Sequence, residues 1–485
     1  MSTTLAPFRV GDAPSLRVPV LSRTTLALLA WAGACLLASA YWTEAFVWCA
    51  GLGFAWAVLR PFVERYGDSL DAFDALPMFT LYYALSLLLR GVGLLTFVDS
   101  PYLRELGDPR TEHWRALVGW SFFHSAIGMH AVVAGYRSAL ARRWADAFVR
   151  RLPSLAAAWR GERVRPVVLA LVAIGLAAAT ARVHGPRGFL TAAANPMKMG
   201  TEEAIGYWWL IAATEFAIVG YHVHVLSLLL RRDRTFLVQY LAFGFALGVP
   251  LYLVSSSKFV LLRIFLLPWL YRHFVVRPLP LWKIVAAFAG FGALFPFFYA
   301  YRALGVQNLD SLGFYIDRVD NPLLLLFNRS YGTDSLMLIL HRTGVTLPFQ
   351  WGASLTDLFT FWVPRLLWPA KPLSFGLTFP AAYMPDMHWG NMTYASCSLP
   401  GELYLNFHVA GIAAGCALLG AVMRATFVAA GRGPGALLVY GYVFLTAMHL
   451  VEGCIASQLE TAIMHLVPTA LALALLAVPA RGATR

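Results

Sequence analysis

Charge is what this chain has least of. Only 13% of its 485 residues are charged, where a soluble globular protein carries roughly 25%, and the shortfall excludes an ordinary water-soluble fold. Cysteine is scarce as well. The five present, Cys35, Cys49, Cys397, Cys416 and Cys454, show no C-x-x-C and no metal-ligand spacing, so nothing in the spacing points to a zinc module. Four of them lie in apolar runs, where a small buried hydrophobe is the better reading. Cys397 falls in a loop and has no obvious loop partner for a disulfide. Internal repeats, low-complexity tracts and a soluble domain are lacking too.

What the chain does have is grease. Hydrophobic residues make up 59% of it, and they cluster in runs of the length that crosses a bilayer as a helix. The runs fall near 24–41, 44–60, 77–98, 116–136, 166–181, 204–229, 236–256, 258–272, 281–300, 403–423, 436–453 and 460–479. The sequence therefore predicts an all-α, polytopic integral membrane protein with about twelve transmembrane helices. It divides into a helix bundle over 1–300, a large outer loop region with short interfacial helices over 301–402, and C-terminal helices over 403–485. The first run, with "ASA" at 38–40, resembles a cleavable signal. A second span follows almost at once, so an uncleaved first helix is expected.

A formal net charge of +13 raises the question of nucleic acid, and the placement of the cations answers it. More than half of the 38 basic residues fall in alternate inter-span segments, the densest running from Arg137 to Arg165. That is the positive-inside pattern. It predicts cytoplasmic N- and C-termini, a multi-pass membrane protein and no nucleic-acid partner; the partner implied by the bias is the lipid bilayer.

The remaining cations need another reason. "FWVPRLLWPAKP" at 361–372 holds Arg365 and Lys371 between Pro364, Pro369 and Pro372, with Trp362 and Trp368 alongside. Proline fixes φ and restricts its predecessor, so these cations lose little entropy on meeting an anion. A guanidinium takes two phosphate oxygens at once and an ammonium acts as a point charge; the pattern fits a diphosphate at the surface, or ordinary anionic headgroups. Lys258 and Arg263 in "SSSKFVLLRIF" sit at or within a span, where a cation is costly and faces a cavity or a partner. Either Lys258 snorkels and Arg263 pairs with a carboxylate on another helix, or both bind anions. Arg329 precedes Asp334 in "RSYGTDSL", in a segment that Asn321 and Pro322 would open as a helix; its bland reading is a surface arginine.

Glu402, in "GELYLNFHVAG", lies where the outer loop re-enters the membrane, placed either to accept a proton or to neutralise a cation. Asn406 falls one helical turn deeper. Gly411 and Gly415 form G-x-x-x-G, a close-packing signal. His222 and His224, two apart on a helix, point in different directions and make no metal pair. The sequons "NRS" at 328 and "NMT" at 391 are short enough to arise by chance.

Taken together, "SSSKFVLL", "NRSYGTDSL", "PRLLWPAKP" and "GELYLNFHVAG", spread over about 250–425, resemble bacterial Wzy-type polymerases of oligosaccharide repeat units (O-antigen and exopolysaccharide). The resemblance implies a GT-C-like membrane glycosyltransferase. It would move a growing glycan from one polyprenyl diphosphate to the terminal sugar of an incoming polyprenyl-diphosphate-linked repeat unit, with a periplasmic outer loop. Carried over by residue, Lys258, Arg263, Arg329, Arg365 and Lys371 would hold diphosphates, with Asn406 beside them. Glu402, and next Asp334, would take the acceptor proton. No cofactor and no metal are expected, and a flippase and a chain-length regulator are the implied protein partners. A lipid-linked glycan ligase and a flippase of the same lipids are the competing readings.

Overall fold

The computed structural model describes residues 23–63, 71, 73–96, 100, 103, 106–108, 110–185, 187–189, 208–255, 258–280, 282–284, 286–287, 290, 330–363, 367–384 and 397–477. Among the described residues the regular structure is helical, with no β-strand. The long helices are α1 (Arg23–Tyr41), α2 (Thr43–Val63), α3 (Ala75–Thr96), α4 (Glu112–Arg137), α6 (Gly161–Arg182), α7 (Trp208–Leu230), α8 (Phe236–Ser255), α9 (Lys258–Val275), α13 (Leu399–Ala430), α14 (Pro434–Leu450) and α15 (Ile455–Leu476). Shorter helices are α5 (Ala139–Arg151), α10 (Gly332–Arg342), α11 (Asp357–Thr360) and α12 (Phe375–Tyr383).

Eight of these are long and apolar enough to cross a membrane, and two shorter apolar helices, Ala27–Tyr41 and Pro434–Leu450, join them. In hydrocarbon a helix satisfies its own backbone groups, which is why apolar run and helix coincide. The helix α9 falls outside that set; Lys258, Arg263 and Arg272 interrupt its apolar run. The expected span at 281–300 lies almost wholly outside the described residues, as does the helix start at Asn321 and Pro322. The helix α5 is not among the expected elements: its sequence, ALARRWADAFVRR, is amphipathic rather than apolar, the mark of a helix lying along a surface.

Local chemistry sets the helix starts. Asp74 caps α3, accepting from the Leu76 amide at 3.1 Å; Thr111 caps α4 and Ser138 caps α5 in the same way. The long helix α13 is broken. Phe407 and His408 leave helical geometry, His408 at φ 58°, and the chain turns so sharply that a Cβ on Gly411 would stand 2.4 Å from the Leu403 carbonyl oxygen. Gly411 and Gly415 thus do act in close packing. The nearest partner is Leu403, across the break in their own helix.

The bundle has two chemically different ends. At one, the Arg160 amide bonds the Leu476 carbonyl at 2.9 Å and Arg231 bonds the Gly161 carbonyl at 2.9 Å. Arg432 pairs with Asp146, and His273 lies 3.0 Å from Asp71. These belong to the arginine-rich segments of the sequence. At the other end the start of α13 meets the α14–α15 turn through Leu399 N to Val451 O, 3.2 Å, and meets the segment after α10 through Gln350 N to Leu405 O, 3.0 Å.

Candidate functional site at the outer-loop end

Glu402 sits in the first turn of α13, fully buried. Its Oε1 accepts the Ser354 hydroxyl at 2.7 Å, and its Oε2 accepts the Ile455 amide at 2.5 Å and the Cys397 thiol at 3.3 Å. Among the described residues its partners are thus hydroxyl, amide and thiol, and no cation. Asn406, one turn on, donates to the Glu402 carbonyl at 2.9 Å and to Ser354 Oγ at 2.7 Å, and accepts the Gly352 amide at 2.8 Å. Gly352 has φ 93°, a conformation glycine adopts without steric cost. The pair therefore clamps the 350–355 turn and the start of α15 onto α13. Buried polar groups survive by being satisfied, and these are.

Asp334, on α10, is occupied. Arg90 grips it with two bonds, Nε to Oδ2 at 2.8 Å and Nη2 to Oδ1 at 2.9 Å, and Ser100 adds a third to Oδ1. All of this is buried, and it pins α10 to α3. Thr333 adds a bond to the Leu87 carbonyl at 2.7 Å. Arg90 is not among the residues the sequence singles out, although an arginine inside the apolar run "LLLRGVGLL" is itself a request for a buried partner. Close by, Tyr82 and Ser86 donate to Glu452 at 2.8 and 2.5 Å.

Arg263 follows the alternative in which it pairs with a carboxylate on another helix. Its Nη1 lies 2.9 Å from both oxygens of Glu215 on α7, and His465 of α15 stands 3.0 Å from the same carboxylate. His222 donates from Nε2 to the Arg263 carbonyl and meets the Tyr442 hydroxyl at Nδ1, while His224 pairs with Gln239; each has its own partner, and they do not converge. Arg263 is therefore a buried cation paired with a carboxylate.

Lys371 is the expected diphosphate cation that the structure describes within the outer loop. Its Nζ donates to the carbonyls of Phe361 and Val363 at 3.0 and 3.3 Å, which closes the proline-framed loop upon itself. Trp362 and Trp368 stand 61% and 39% exposed near it in sequence, as interfacial anchors do. Asp357, which no sequence pattern singles out, accepts the Phe375 amide at 2.8 Å and lies within electrostatic reach of Lys371; Glu460 of α15 feels both. Burial raises Asp357 above the usual carboxylate range, against the lowering effect of that amide and of Lys371. Arg329, Arg365 and the side chain of Lys258 lie outside the described residues, as do both sequons apart from Ser330 of "NRS".

The thiols of Cys397 and Cys454 and the Glu402 carboxylate lie within 4.8 Å of one another, a donor set that spacing in the sequence does not disclose. Comparison with protein-family models, with curated proteins and with solved structures found no match.

Proposed function

We propose that the chain is a membrane glycosyltransferase that polymerises lipid-linked oligosaccharide repeat units, with polyprenyl diphosphate as leaving group. The observation that carries the reading is the loop 361–372: a lysine tied down by loop carbonyls, beside a raised carboxylate, among exposed tryptophans, at the end away from the arginine clusters. In the reaction, the acceptor hydroxyl oxygen bonds to the anomeric carbon, the bond from that carbon to the diphosphate breaks, and the diphosphate keeps the electron pair. Fixed cations favour the transition state because charge grows on the leaving oxygens. Lys371 and Arg365 fill that role.

The base must reach a sugar hydroxyl. Glu402 and Asp334 have both oxygens committed to buried donors, so they suit bracing better than proton transfer. Asp357 is better placed to act as base. Among the described residues only its Oδ2 holds a hydrogen-bond donor, and a raised pKa brings a carboxylic acid nearer the working pH. In this reading Asp357 takes the hydroxyl proton.

The test uses purified protein and defined polyprenyl-diphosphate-linked repeat units. Lys371→Ala, Arg365→Ala and Asp357→Asn are each expected to lose at least about a hundredfold in polymer formed, the lower end of the range for a positioned charge or base. Full-length polymer from all three variants would overturn the reading. In cells lacking the gene, single repeat units on the lipid core are the expected product; polymer stalled on its carrier would mark a ligase instead.

A further inference from the structure

Two cysteines that are 57 residues apart in the chain meet at the outer-loop end. The Sγ atoms of Cys397 and Cys454 are 3.5 Å apart. Cys397 lies just before α13, and Cys454 is the residue before α15. Both are buried to within 1%. The backbones that carry them are already held in register, through Leu399 N to Val451 O at 3.2 Å and through the Ile455 amide on Glu402.

We infer that Cys397 and Cys454 are joined by a disulfide in the mature protein, fastening the start of α13 to the α14–α15 turn. The inference rests on the orientation contained in the proposed function, in which this end faces away from the cytosol. Disulfides persist in such compartments and not in the cytosol. The segments rich in arginine lie at the opposite end, where the basic-residue bias places the cytosol.

The chemistry balances through thiol–disulfide exchange. One thiolate attacks the disulfide of an oxidising dithiol protein, giving a mixed disulfide, and the second thiolate displaces that protein. One S–S bond forms here and one breaks there; two protons leave these thiols and two thiols are regenerated on the oxidant. Exchange has to occur before the segment is buried. A bond of about 2.05 Å requires the sulfurs to close by roughly 1.5 Å, which side-chain rotation can supply, and Cys397 then exchanges its 3.3 Å contact with Glu402 for the bond.

The chain contains its own control. Cys35 and Cys49 are equally near, Sγ to Sγ 3.4 Å, but they sit within α1 and α2, where an aqueous oxidant does not reach. Proximity alone would oxidise both pairs; compartment oxidises one. The rival occupant of the Cys397–Cys454 site is a divalent metal using Glu402 as third ligand. Against it, both Glu402 oxygens already accept protein donors, and burial pushes the Cys397 thiol up, away from the thiolate that a metal needs.

The experiment is cysteine mapping of the full chain, extracted from its membrane without reductant, denatured in N-ethylmaleimide, digested and weighed. Expected is one linked peptide pair containing Cys397 and Cys454, about 2 Da lighter than the two thiols (two hydrogens lost on oxidation), with Cys35, Cys49 and Cys416 all alkylated. In Cys454→Ala, Cys397 should become fully alkylated. Alkylation of both cysteines in the unaltered chain overturns the inference, and zinc released in equal amount with them assigns the site to metal. A Val345→Cys variant, at a position 79% exposed, reports orientation separately through an impermeant maleimide applied to whole cells. If Val345→Cys labels from outside while Cys397 and Cys454 remain thiols, the bridge fails and the orientation stands. If it labels only after the membrane is inverted, the orientation falls, and reduced thiols are then its consequence.

Discussion

At the scale of single residues, the buried charges and amides here are braces before they are reagents. Glu402 accepts from Ser354, Ile455 and Cys397. A glutamine in its place must turn an amide nitrogen toward one of those donors, leaving it unsatisfied. Glu402→Gln is therefore expected to destabilise the fold by about 1–3 kcal/mol, seen as a lower Tm in detergent; an unchanged Tm together with lost turnover would return Glu402 to the chemistry. Asp357 makes a prediction about pH. Its pKa is raised in the fold, so as pH rises from the ordinary carboxylate range through that raised value the unfolded chain releases the proton first. The stability associated with the neutral acid is complete at low pH and is lost across that window. Asp357→Asn should remove the decline, so that variant and parent melt together at low pH and diverge above it. A parallel pH dependence in the two would show that Asp357 does not titrate there.

Arg263 is legible in the sequence as an expensive cation that calls for a partner, but which partner is not legible. Its partner Glu215 is 48 residues away, and nothing in either local sequence names the other. Breaking such a buried pair on one side costs about 3–5 kcal/mol, whereas replacing both sides by apolar groups is often neutral. Arg263→Met should therefore reduce the amount of folded protein sharply, and Arg263→Met with Glu215→Leu should restore much of it. Rescue of polymer formation along with folding would show that Arg263 does not touch the diphosphate; folded but inactive protein would show that it does.

At the scale of elements, the apolar runs are legible because a helix in lipid is a local object: every backbone bond closes within the run. The amphipathic α5 is not, because it buries only Ala141 and Ala145 and has no long apolar run. The break in α13 is hidden for a different reason. "LNFHVAG" contains no proline, and only packing of Leu403 against Gly411 and Gly415 reveals the turn. Gly415→Leu is expected to force those segments apart, since even a Cβ there would stand 2.5 Å from Leu403. Overpacking of this kind costs about 1–3 kcal/mol, measurable as lower Tm and as easier proteolysis near Phe407. Wild-type behaviour would mean that α13 continues unbroken in the membrane.

At the scale of the whole molecule, the two ends differ in chemistry. One gathers Arg231, Arg432 and the strongly basic α5; the other gathers the Glu402, Asp334 and Lys371 networks. A reporter that is active only outside the cytosol should be silent when fused after Arg151 and active when fused after Val345. The opposite pattern would invert the protein and remove the external substrate from the proposed reaction.

The sequence by itself determined that the chain lives in a membrane as helices, and it set the expectation that its basic segments share one side. Both follow from composition and order along the chain: the cost of water against hydrocarbon is settled run by run. Only the tertiary structure decided which carboxylate meets which cation, joining Arg90 to Asp334 across 244 residues and Arg263 to Glu215. It likewise brought Cys397 to Cys454. These pairings depend on which helices lie side by side, and in lipid that choice comes from packing and buried polar partners, which no local pattern records.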